Sequence, residues 1–257
     1  DEDNGALEYG KTTDISMRIK NVGKQATNNV TVTLGANSEY VTISKNNVQI
    51  TTINANEEIN LDKAFTVNIN PSIPDETKIE FTVTCSNGTD TWTTMFYEYA
   101  YAPVFVINRV GMHSNKLAQP GEKSAIEIEF ENVGNAVAYN VVTEAYSSSS
   151  DIEFEDISAV TEEVKVGESY VVTLDFNVAQ SVLIGTVFDV ICTVNADFVT
   201  ESTNYELKVG LVGDNFETGD FSAHEWKIEG EGVWVIDSIK PYEGKYCVKS
   251  DNVSNNK

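Results

Sequence analysis

The feature that most constrains this fold is a nine-residue stretch that occurs at residues 15–23 and again 111 positions later, at residues 126–134. The first copy reads Ile-Ser-Met-Arg-Ile-Lys-Asn-Val-Gly and the second reads Ile-Glu-Ile-Glu-Phe-Glu-Asn-Val-Gly. Each copy alternates apolar and polar residues, which predicts a half-buried β-strand that runs into a tight turn. In that turn we expect the Asn side chain to bond nearby backbone and the Gly to tolerate a positive φ.

The similarity between the two halves of the chain extends beyond this stretch. At the same spacing Gly10 matches Gly121, and Asn29 matches Asn140. Further along, the spacing falls to 107, and the matches are Phe65–Asn70 with Val172–Asn177, and Phe81, Val83 and Cys85 with Phe188, Val190 and Cys192. We expect a loop to absorb the four-residue difference. The chain is therefore predicted to contain two copies of one module of about 100 residues.

Each module shows the pattern of short strands separated by Gly, Asn, Asp and Ser. In the first module the predicted strands are Ile15–Lys20, Val30–Leu34, Tyr40–Ile43, Val48–Ile53, Ala64–Asn70, Lys78–Cys85 and Thr91–Tyr99. Seven short strands with turn signals every ~8–12 residues are typical of an antiparallel β-sandwich. We call residues 1–102 module 1 and residues 103–210 module 2.

The boundary between the modules, residues 96–107, contains no flexible Gly/Ser linker. The last strand of module 1 is expected to run almost directly into the first strand of module 2, which predicts a stiff tandem rod. We expect the aromatic residues of this stretch, from Phe96 to Tyr101, to pack in the junction. The alternative is that they form a platform for a ligand.

Residues 211–257 differ from both modules and are expected to be the opening strands of a third domain. Trp226, Trp234 and Tyr242 lie close together there. They are interpreted as core residues, with stacking on sugars as the alternative.

Several motifs resemble a bacterial Ig-like module and, after it, the opening of a jelly-roll adhesin domain that is also similar to MAM domains. The first resemblance is carried by Asn4–Lys11, Asn21-Val22-Gly23, Asn29–Val32, Pro120-Gly121-Glu122 and Ala138–Val141, and the second by Asn215–Phe221, Gly232–Trp234 and Glu243–Ser250. Tyr9 and Lys11 depart from the usual Pro and Glu. The resemblance implies an all-β chain of two tandem Ig-like antiparallel β-sandwiches, followed by an incomplete jelly roll at residues 211–257. It also implies a source in the non-catalytic region of gingipain-type cell-surface cysteine proteases.

The charge of the chain limits its partners. The formal net charge is -23, from 40 acidic and 17 basic residues. A surface this acidic repels phosphate backbones and anionic membranes, so nucleic acid is not an expected partner. No run of about 18 apolar residues is present, so membrane insertion is not expected either. The chain has no signal peptide and starts with four polar residues, which we interpret as an excised piece of a mature protein.

No group of residues in the sequence predicts catalysis. Cys85 and Cys192 are expected to be buried free thiols at equivalent positions, and Cys247 a core residue. A cysteine nucleophile needs a neighbouring histidine, and both His113 and His224 are expected in loops. We therefore predict no catalytic residue and no cofactor, and expect the catalytic domain of any parent protease to lie outside this chain.

Calcium is the one ligand ion that the sequence suggests. Asp1 and Asp3 cluster hard oxygen ligands near the start of the chain, and Glu217 matches an acidic residue of the adhesin opening that the resemblance links to a cation. Solvated surface carboxylates are the alternative.

The function predicted from the sequence is a non-catalytic spacer or adhesion region of a large secreted or surface-attached bacterial protein. The expected location is extracellular or on the outer-membrane surface. The alternative is an adhesin that binds a glycan or a host protein through its C-terminal aromatic segment. Further expected partners are neighbouring domains of the same polypeptide and a second copy, paired through unpaired strand edges of residues 211–257.

Overall fold

The computed structural model of the protein describes residues 6–210, 216–222, 226, 232–241 and 244–250. Its regular elements are β-strands and one short 3₁₀ turn. The prediction of an all-β sandwich fold is confirmed.

Module 1 contains two sheets that face each other. Its strands are β1 (Leu7–Glu8), β2 (Thr12–Lys20), β3 (Thr27–Ala36), β4 (Val41–Lys45), β5 (Asn47–Ile53), β6 (Glu58–Ile69), β7 (Thr77–Ser86) and β8 (Thr91–Tyr101). One sheet has the order β1-β8-β7-β3-β5 and the other β2-β6-β4. All seven strands predicted for this module are present.

Module 2 repeats this plan with one further long strand. Its elements are β9 (Phe105–Met112), the 3₁₀ turn His113–Asn115, β10 (Lys123–Asn132), β11 (Ala138–Tyr146), β12 (Ile152–Phe154), β13 (Ser158–Val164), β14 (Ser169–Val178), β15 (Val187–Ala196) and β16 (Val199–Lys208). The sheets are β12-β14-β10-β9 and β13-β11-β15-β16. In the remainder of the described chain, β17 (Trp234–Asp237) pairs with β18 (Cys247–Ser250).

The alternating residues of the duplicated stretch face the cores as predicted. In module 2, Ile126, Ile128 and Phe130 are fully buried. In module 1, the corresponding Ile15, Met17 and Ile19 pack against the core but are only partly buried. The same pattern in the two modules therefore produces two different degrees of burial.

The strand register corrects the alignment of the second half of each module. Val83 lies opposite Leu34, and Cys192 lies opposite Ala145, which is 111 positions after Leu34. Cys192 therefore corresponds to Val83 and not to Cys85, and the spacing here is 109 rather than 107. Because the error is two residues, it leaves every side chain on its predicted face.

The extra residues of module 1 lie inside a strand and not in the expected loop. In β6 the register shifts between Phe65, which faces Ile15, and Leu61, which faces Met17. The Lys63 N–H donates to the Ser16 hydroxyl oxygen at 2.8 Å across this irregularity. Lys63 has a positive φ of 45°. A bulge thus absorbs the difference in length while pairing continues on both sides of it.

A second irregularity accounts for the Asn-Val pair that both modules share. Asn29 and Asn140 have φ values of 55° and 50°. Each interrupts the pairing of its strand, since the ladder passes from Asn28 to Val30 and from Tyr139 to Val141. Asn is among the residues that tolerate the left-handed region best, which explains its presence at this position.

The strand β9 has no counterpart among the described residues of module 1. It pairs antiparallel with the β10 edge, which faces away from β14. The short strand β1 is not its counterpart, because β1 pairs in parallel with β8 through Leu7 and Ala100, and module 2 repeats that contact as a bridge between Ala118 and Val209. No strand among the described residues pairs with the edge of β2 that corresponds to the β9 side of β10, and we call this edge the open edge of β2.

Within the described residues, no helix is long and apolar enough to cross a membrane.

Truncation of Phe81 is expected to destabilise module 1 strongly. The Phe81 ring is fully buried and stacks on Phe96 with 5.1 Å between ring centroids. Phe81→Ala should lower the free energy of unfolding by ~3–5 kcal/mol because it leaves a cavity. Phe188→Ala should give a loss at the lower end of that range, since Phe188 is 9% exposed.

Chemical denaturation measures these losses, and Tyr97→Ala is the control because Tyr97 lies on the exposed face of β8. A loss below ~1 kcal/mol for Phe81→Ala would refute the core assignment.

Candidate functional site

The most elaborately built feature of the described chain is the junction between the two modules. It is centred on Asn132, which is fully buried. Its side-chain Nδ2 donates to Ala136 O at 2.8 Å and to Val164 O at 3.1 Å. Its Oδ1 accepts from Gly134 N at 3.1 Å and from Val104 N at 3.2 Å. An amide side chain has two donor hydrogens and two acceptor lone pairs, so Asn132 is fully satisfied.

Gly134 allows the connection between the modules to lie directly on the turn. A Cβ atom at this position would stand 2.5 Å from Ala102 O and in overlap with Val104 N. The Asn-x-Gly turns do not use the tolerance of Gly for a positive φ, because neither Gly23 nor Gly134 has one. Gly134 is required instead by the close approach of two backbone segments.

Hydrogen bonds fix the connection on both sides of this glycine. Val133 N donates to Val104 O at 2.8 Å, and Asn135 N donates to Ala102 O at 3.1 Å. The Asp75 carboxylate of module 1 accepts from Ala102 N at 2.9 Å and from Asn135 Nδ2 at 2.8 Å. One carboxylate thus holds the end of module 1 and the first turn of module 2 together.

Tyr9 is the second side chain that bridges the modules. It is buried, and its hydroxyl donates to Val137 O at 3.1 Å. Burial raises its pKa, so the hydroxyl keeps the proton that it donates. Ala136 of module 2 in turn packs in the hydrophobic cluster of module 1. Tyr9 replaces the proline that stands at the corresponding position 120 of module 2, and this contact explains the replacement.

The aromatic residues of the boundary are placed differently from the prediction. Phe96 and Tyr101 pack against the core of module 1. Tyr97 and Tyr99 lie exposed on the outer face of β8, and Lys78 Nζ sits 3.8 Å from the centroid of the Tyr97 ring. Tyr97 and Tyr99 are two residues apart on β8, so they share one face of the strand, and that face is exposed.

The three cysteines are free thiols that lie apart in the fold. Cys192 is fully buried, and burial raises its pKa to about 12. Cys85 is half-buried, and its pKa is also raised by burial. A thiol with a raised pKa is a poor nucleophile at neutral pH because the thiolate is the reactive form.

His113 lies in the 3₁₀ turn after β9 and faces an acidic cluster. Its Nδ1 is 2.8 Å from Glu127 Oε1. Arg109 of β9 binds the other oxygen of Glu127 at 3.0 Å and Glu129 at 3.3 Å. These hydrogen bonds, the one from Arg109 first, hold the pKa of Glu127 below its usual value. The cluster fastens β9 to β10, and it contains no cysteine. His224 lies outside the described residues.

Glu217, the predicted calcium ligand, bonds backbone groups of residues 245 and 246. Its Oε1 accepts from the backbone N–H groups of Lys245 and Tyr246 at 2.7 and 3.1 Å. In the described part of the chain, no three His, Cys, Asp or Glu side chains form a group that could hold a metal ion. Asp1 and Asp3 lie outside the described residues.

The C-terminal aromatic residues form a small stacked cluster. The Trp226 ring lies 5.6 Å from Phe216 and 6.2 Å from Phe221, measured between ring centroids. Trp226 is nevertheless 46% exposed and Trp234 is 43% exposed. Both indoles are thus partly exposed, and Tyr242 lies outside the described residues.

The fold and the junction together define a chain of Ig-like β-sandwiches. No family model matches the chain, and no curated protein matches it. The chain is similar to a solved structure of red sea bream transglutaminase, at 11% identity and a TM-score of 0.31, over 79% of this chain and 30% of that one. It is also similar to the native conformation of E. coli alpha-2-macroglobulin, at 10% identity and a TM-score of 0.33, over 80% of this chain and 16% of that one. An I-band fragment of titin aligns at 12% identity and a TM-score of 0.31, over 79% of this chain and 62% of the fragment. The chain thus spans less than two thirds of each of these structures.

Thiol labelling tests the burial of the cysteines. At pH 8 iodoacetamide should label Cys85 and Cys247 in the folded protein and leave Cys192 unmodified, since a pKa of about 12 leaves very little thiolate. Cys192 should react roughly a thousandfold faster once guanidinium unfolds the chain. Mass spectrometry of the peptides measures both rates, and Cys85→Ser is the control for assigning them. Rapid labelling of Cys192 in the native state would contradict this assignment.

Proposed function

We propose that the chain is a non-catalytic spacer in which two β-sandwiches are held in a fixed relative orientation. The observation that carries this proposal is the junction, where a connection without a flexible linker is bonded at both ends and lies on Gly134. A spacer keeps a neighbouring domain at a set distance and angle. It therefore needs restricted motion between its modules and no reactive group.

The exchange of side chains across the boundary supports a stiff junction. Tyr9 of module 1 reaches a carbonyl of module 2, while Ala136 of module 2 fills part of the core of module 1. Bending the two modules apart would expose the Ala136 contact and leave the Tyr9 hydroxyl and the Asp75 carboxylate without their bonds. Each buried polar group left unpaired costs ~1–3 kcal/mol, so bent states are disfavoured.

The chemistry of the candidate nucleophiles also fits a non-catalytic role. Cys192 lies within a core, and the described histidine is bonded to Glu127 on the surface of module 2. A protease dyad needs a thiol and an imidazole in contact within a cleft. We propose that any enzymatic activity of the parent protein belongs to residues outside this chain.

The proposed setting is the surface of a bacterium, in a large secreted or outer-membrane-attached protein. This part of the proposal rests on the order of the sequence motifs, from the Ig-like segments to the adhesin-like opening. The same motifs make a gingipain-like cysteine protease the proposed parent.

A second candidate function is that of an adhesin, and the exposed indoles favour it. Trp226 and Trp234 can each offer a ring face to the apolar face of a sugar. If this segment binds glycans, a glycan array should show signals that Trp226→Ala or Trp234→Ala reduces at least tenfold. Trp92→Ala, which removes an exposed indole from β8, is the matched control and should change nothing. An array without specific signals would refute the adhesin function, and the spacer function would be the remaining proposal.

The spacer function predicts that the two modules reorient together in solution. Residual dipolar couplings of the whole chain should fit one alignment tensor for residues 6–210. Gly134→Ala should give two tensors because its Cβ overlaps the connection, and it should cost ~1–3 kcal/mol of stability through overpacking. Gly23→Ala is the matched control, since at that turn a Cβ would lie 3.0 Å from Asn21 Oδ1 and 4.0 Å from Gln25 O, without overlapping another backbone segment.

Asp75→Ala supplies a second test that introduces no clash. It removes the carboxylate that joins Ala102 N and Asn135 Nδ2, and it should broaden the distribution of inter-module angles seen by small-angle scattering. Freely reorienting modules in the unmodified protein would refute the spacer proposal.

A further inference from the structure

We propose that module 1 carries a docking groove for an extended strand of a partner polypeptide, in which bulky apolar side chains alternate with acidic ones. We call this site the β2 groove. It lies between β2 and β8, and its apolar lining is Leu7, Ile15, Met17, Ile19, Val83 and Phe96. The inference stands on a comparison of the two modules and is independent of the spacer function.

Module 2 shows what occupies the equivalent groove. There β10, the counterpart of β2, pairs with β14 on one side and with β9 on the other. In module 1, β2 pairs with β6, and no described residue pairs with its other edge. A duplicated strand thus has one edge filled in module 2 and the same edge open in module 1.

Burial shows that the open edge leaves apolar surface uncovered. Ile126, Ile128 and Phe130 are each 0% exposed. One reason is that β9 covers them, with Phe105 packed edge-on against Phe130 at 5.9 Å between ring centroids. Ile15, Met17 and Ile19 have the same spacing and the same orientation but stay partly exposed. A docked strand would bury these three side chains as β9 buries theirs.

The backbone of β2 is oriented to accept such a strand. Asn21 N donates to Glu57 O at 3.0 Å across the β2–β6 ladder. Because antiparallel pairing alternates along a strand, the N–H and C=O groups of Arg18 and Lys20 point away from β6. The corresponding residues in module 2 are Glu129 and Glu131, whose strand positions face β9. The open edge thus carries the backbone groups that add a strand to a sheet.

The Asn21 turn at the end of β2 resembles the turn that receives the incoming chain in module 2. In module 2 the incoming chain bonds Asn132 Oδ1 through Val104 N and lies on Gly134. In module 1 the Asn21 side chain makes the three equivalent internal bonds, to Gln25 O, Ile53 O and Gly23 N. The bond that corresponds to the one from Val104 N is not made by any described residue. A second groove, lined by Val22, Gly23 and the residues around them, continues the first over this turn.

Charge determines which strand fits. In module 2 the outward side chains of β10 are Glu127, Glu129 and Glu131. From β9, Arg109 binds the first two and Asn108 donates to the third. In module 1 the same positions are Ser16, Arg18 and Lys20. The sign is reversed, so the residue that takes the place of Arg109 opposite Arg18 should be acidic.

The surrounding charges limit this requirement to one end of the groove. Glu58 already pairs with Lys20 at 2.9 Å and with Arg18 at 3.6 Å, and the Arg18 side chain remains 70% exposed. Asp14 and Glu98 line the other end of the groove. Acidic residues of the partner are therefore expected opposite Arg18 and Lys20, and uncharged ones beyond them.

The same reasoning disfavours β9 of a second copy as the occupant. Its Arg109 would stand opposite Arg18, and like charges at directly opposed positions of a sheet are destabilising. The strand that fits best has the apolar spacing of β9 and a carboxylate where β9 has its arginine.

Two synthetic peptides test the proposal against the whole chain. One has the sequence of residues 104–112, and the other has the same sequence with R109E. In a titration followed by ¹H–¹⁵N spectra, the acidic peptide should shift the amides of β2 and bind roughly threefold to tenfold more tightly than the basic one. The shifts should map to residues 15–23 and not to β10, whose edge β9 already fills.

Charge reversal on the protein separates this site from general attraction. Arg18→Glu should invert the preference, so that the basic peptide binds more tightly. Lys45→Glu makes the same change of charge on β4, at the opposite edge of the same sheet, and should leave the preference unchanged. Both residues lie at exposed positions, and thermal melts of the variants confirm that the chain is folded.

Three results would overturn the proposal. The first is no binding of either peptide at millimolar concentration. The second is a preference that Lys45→Glu changes as much as Arg18→Glu does. The third is self-association of the chain through β2, detected by sedimentation, because it would make a second copy the occupant.

Discussion

The junction depends on one buried amide, the side chain of Asn132. Its four hydrogen bonds shape the turn after β10, attach that turn to β13, and fix the point at which the chain enters module 2. Loss of any one of these bonds would leave a buried polar group unpaired and lower the stability by ~1–3 kcal/mol. The turn, the neighbouring strand and the connection therefore stabilise one another. Among the described residues Asn21 makes only the internal bonds of this set, and it is not fully buried.

The contacts of the junction begin at the connection itself. The strand β9, which follows directly on the last strand of module 1, places Phe105 in the core of module 2. The turn after β10 places Ala136 of module 2 in the core of module 1. These two contacts explain why no Gly- or Ser-rich linker is present, since a flexible segment could not hold either of them.

The sequence predicts the strands well because alternation with period two is strong in each of them. It misses β1, whose two residues are too few to show a period, and the bulge in β6, which does not interrupt the apolar pattern. The matching of Cys85 with Cys192 is wrong by two residues for a related reason. A shift of two keeps every residue on the same face, so residue types alone carry no signal against it.

The junction itself was only partly predictable. The absence of a linker indicates that the modules meet closely, but the residues that join them, Tyr9, Asp75 and Asn135, lie far apart in sequence. Of these three, only Tyr9 belongs to a motif. One signal was available: Tyr9 stands where module 2 has Pro120, and a departure between two copies marks a place where their surroundings differ. The aromatic residues of β8 were a misleading signal for the junction, because Trp92, Tyr97 and Tyr99 are exposed.

The continuous path from β8 into β9 also determines how the chain bears tension. A pull along the tandem axis enters module 2 at the start of β9 and leaves at the end of β16. Near those two ends, β9 is held by its ladder with β10, and β16 lies close to the parallel bridge between Ala118 and Val209. Force in this direction slides strands past each other, so a whole row of hydrogen bonds has to yield together instead of opening one by one.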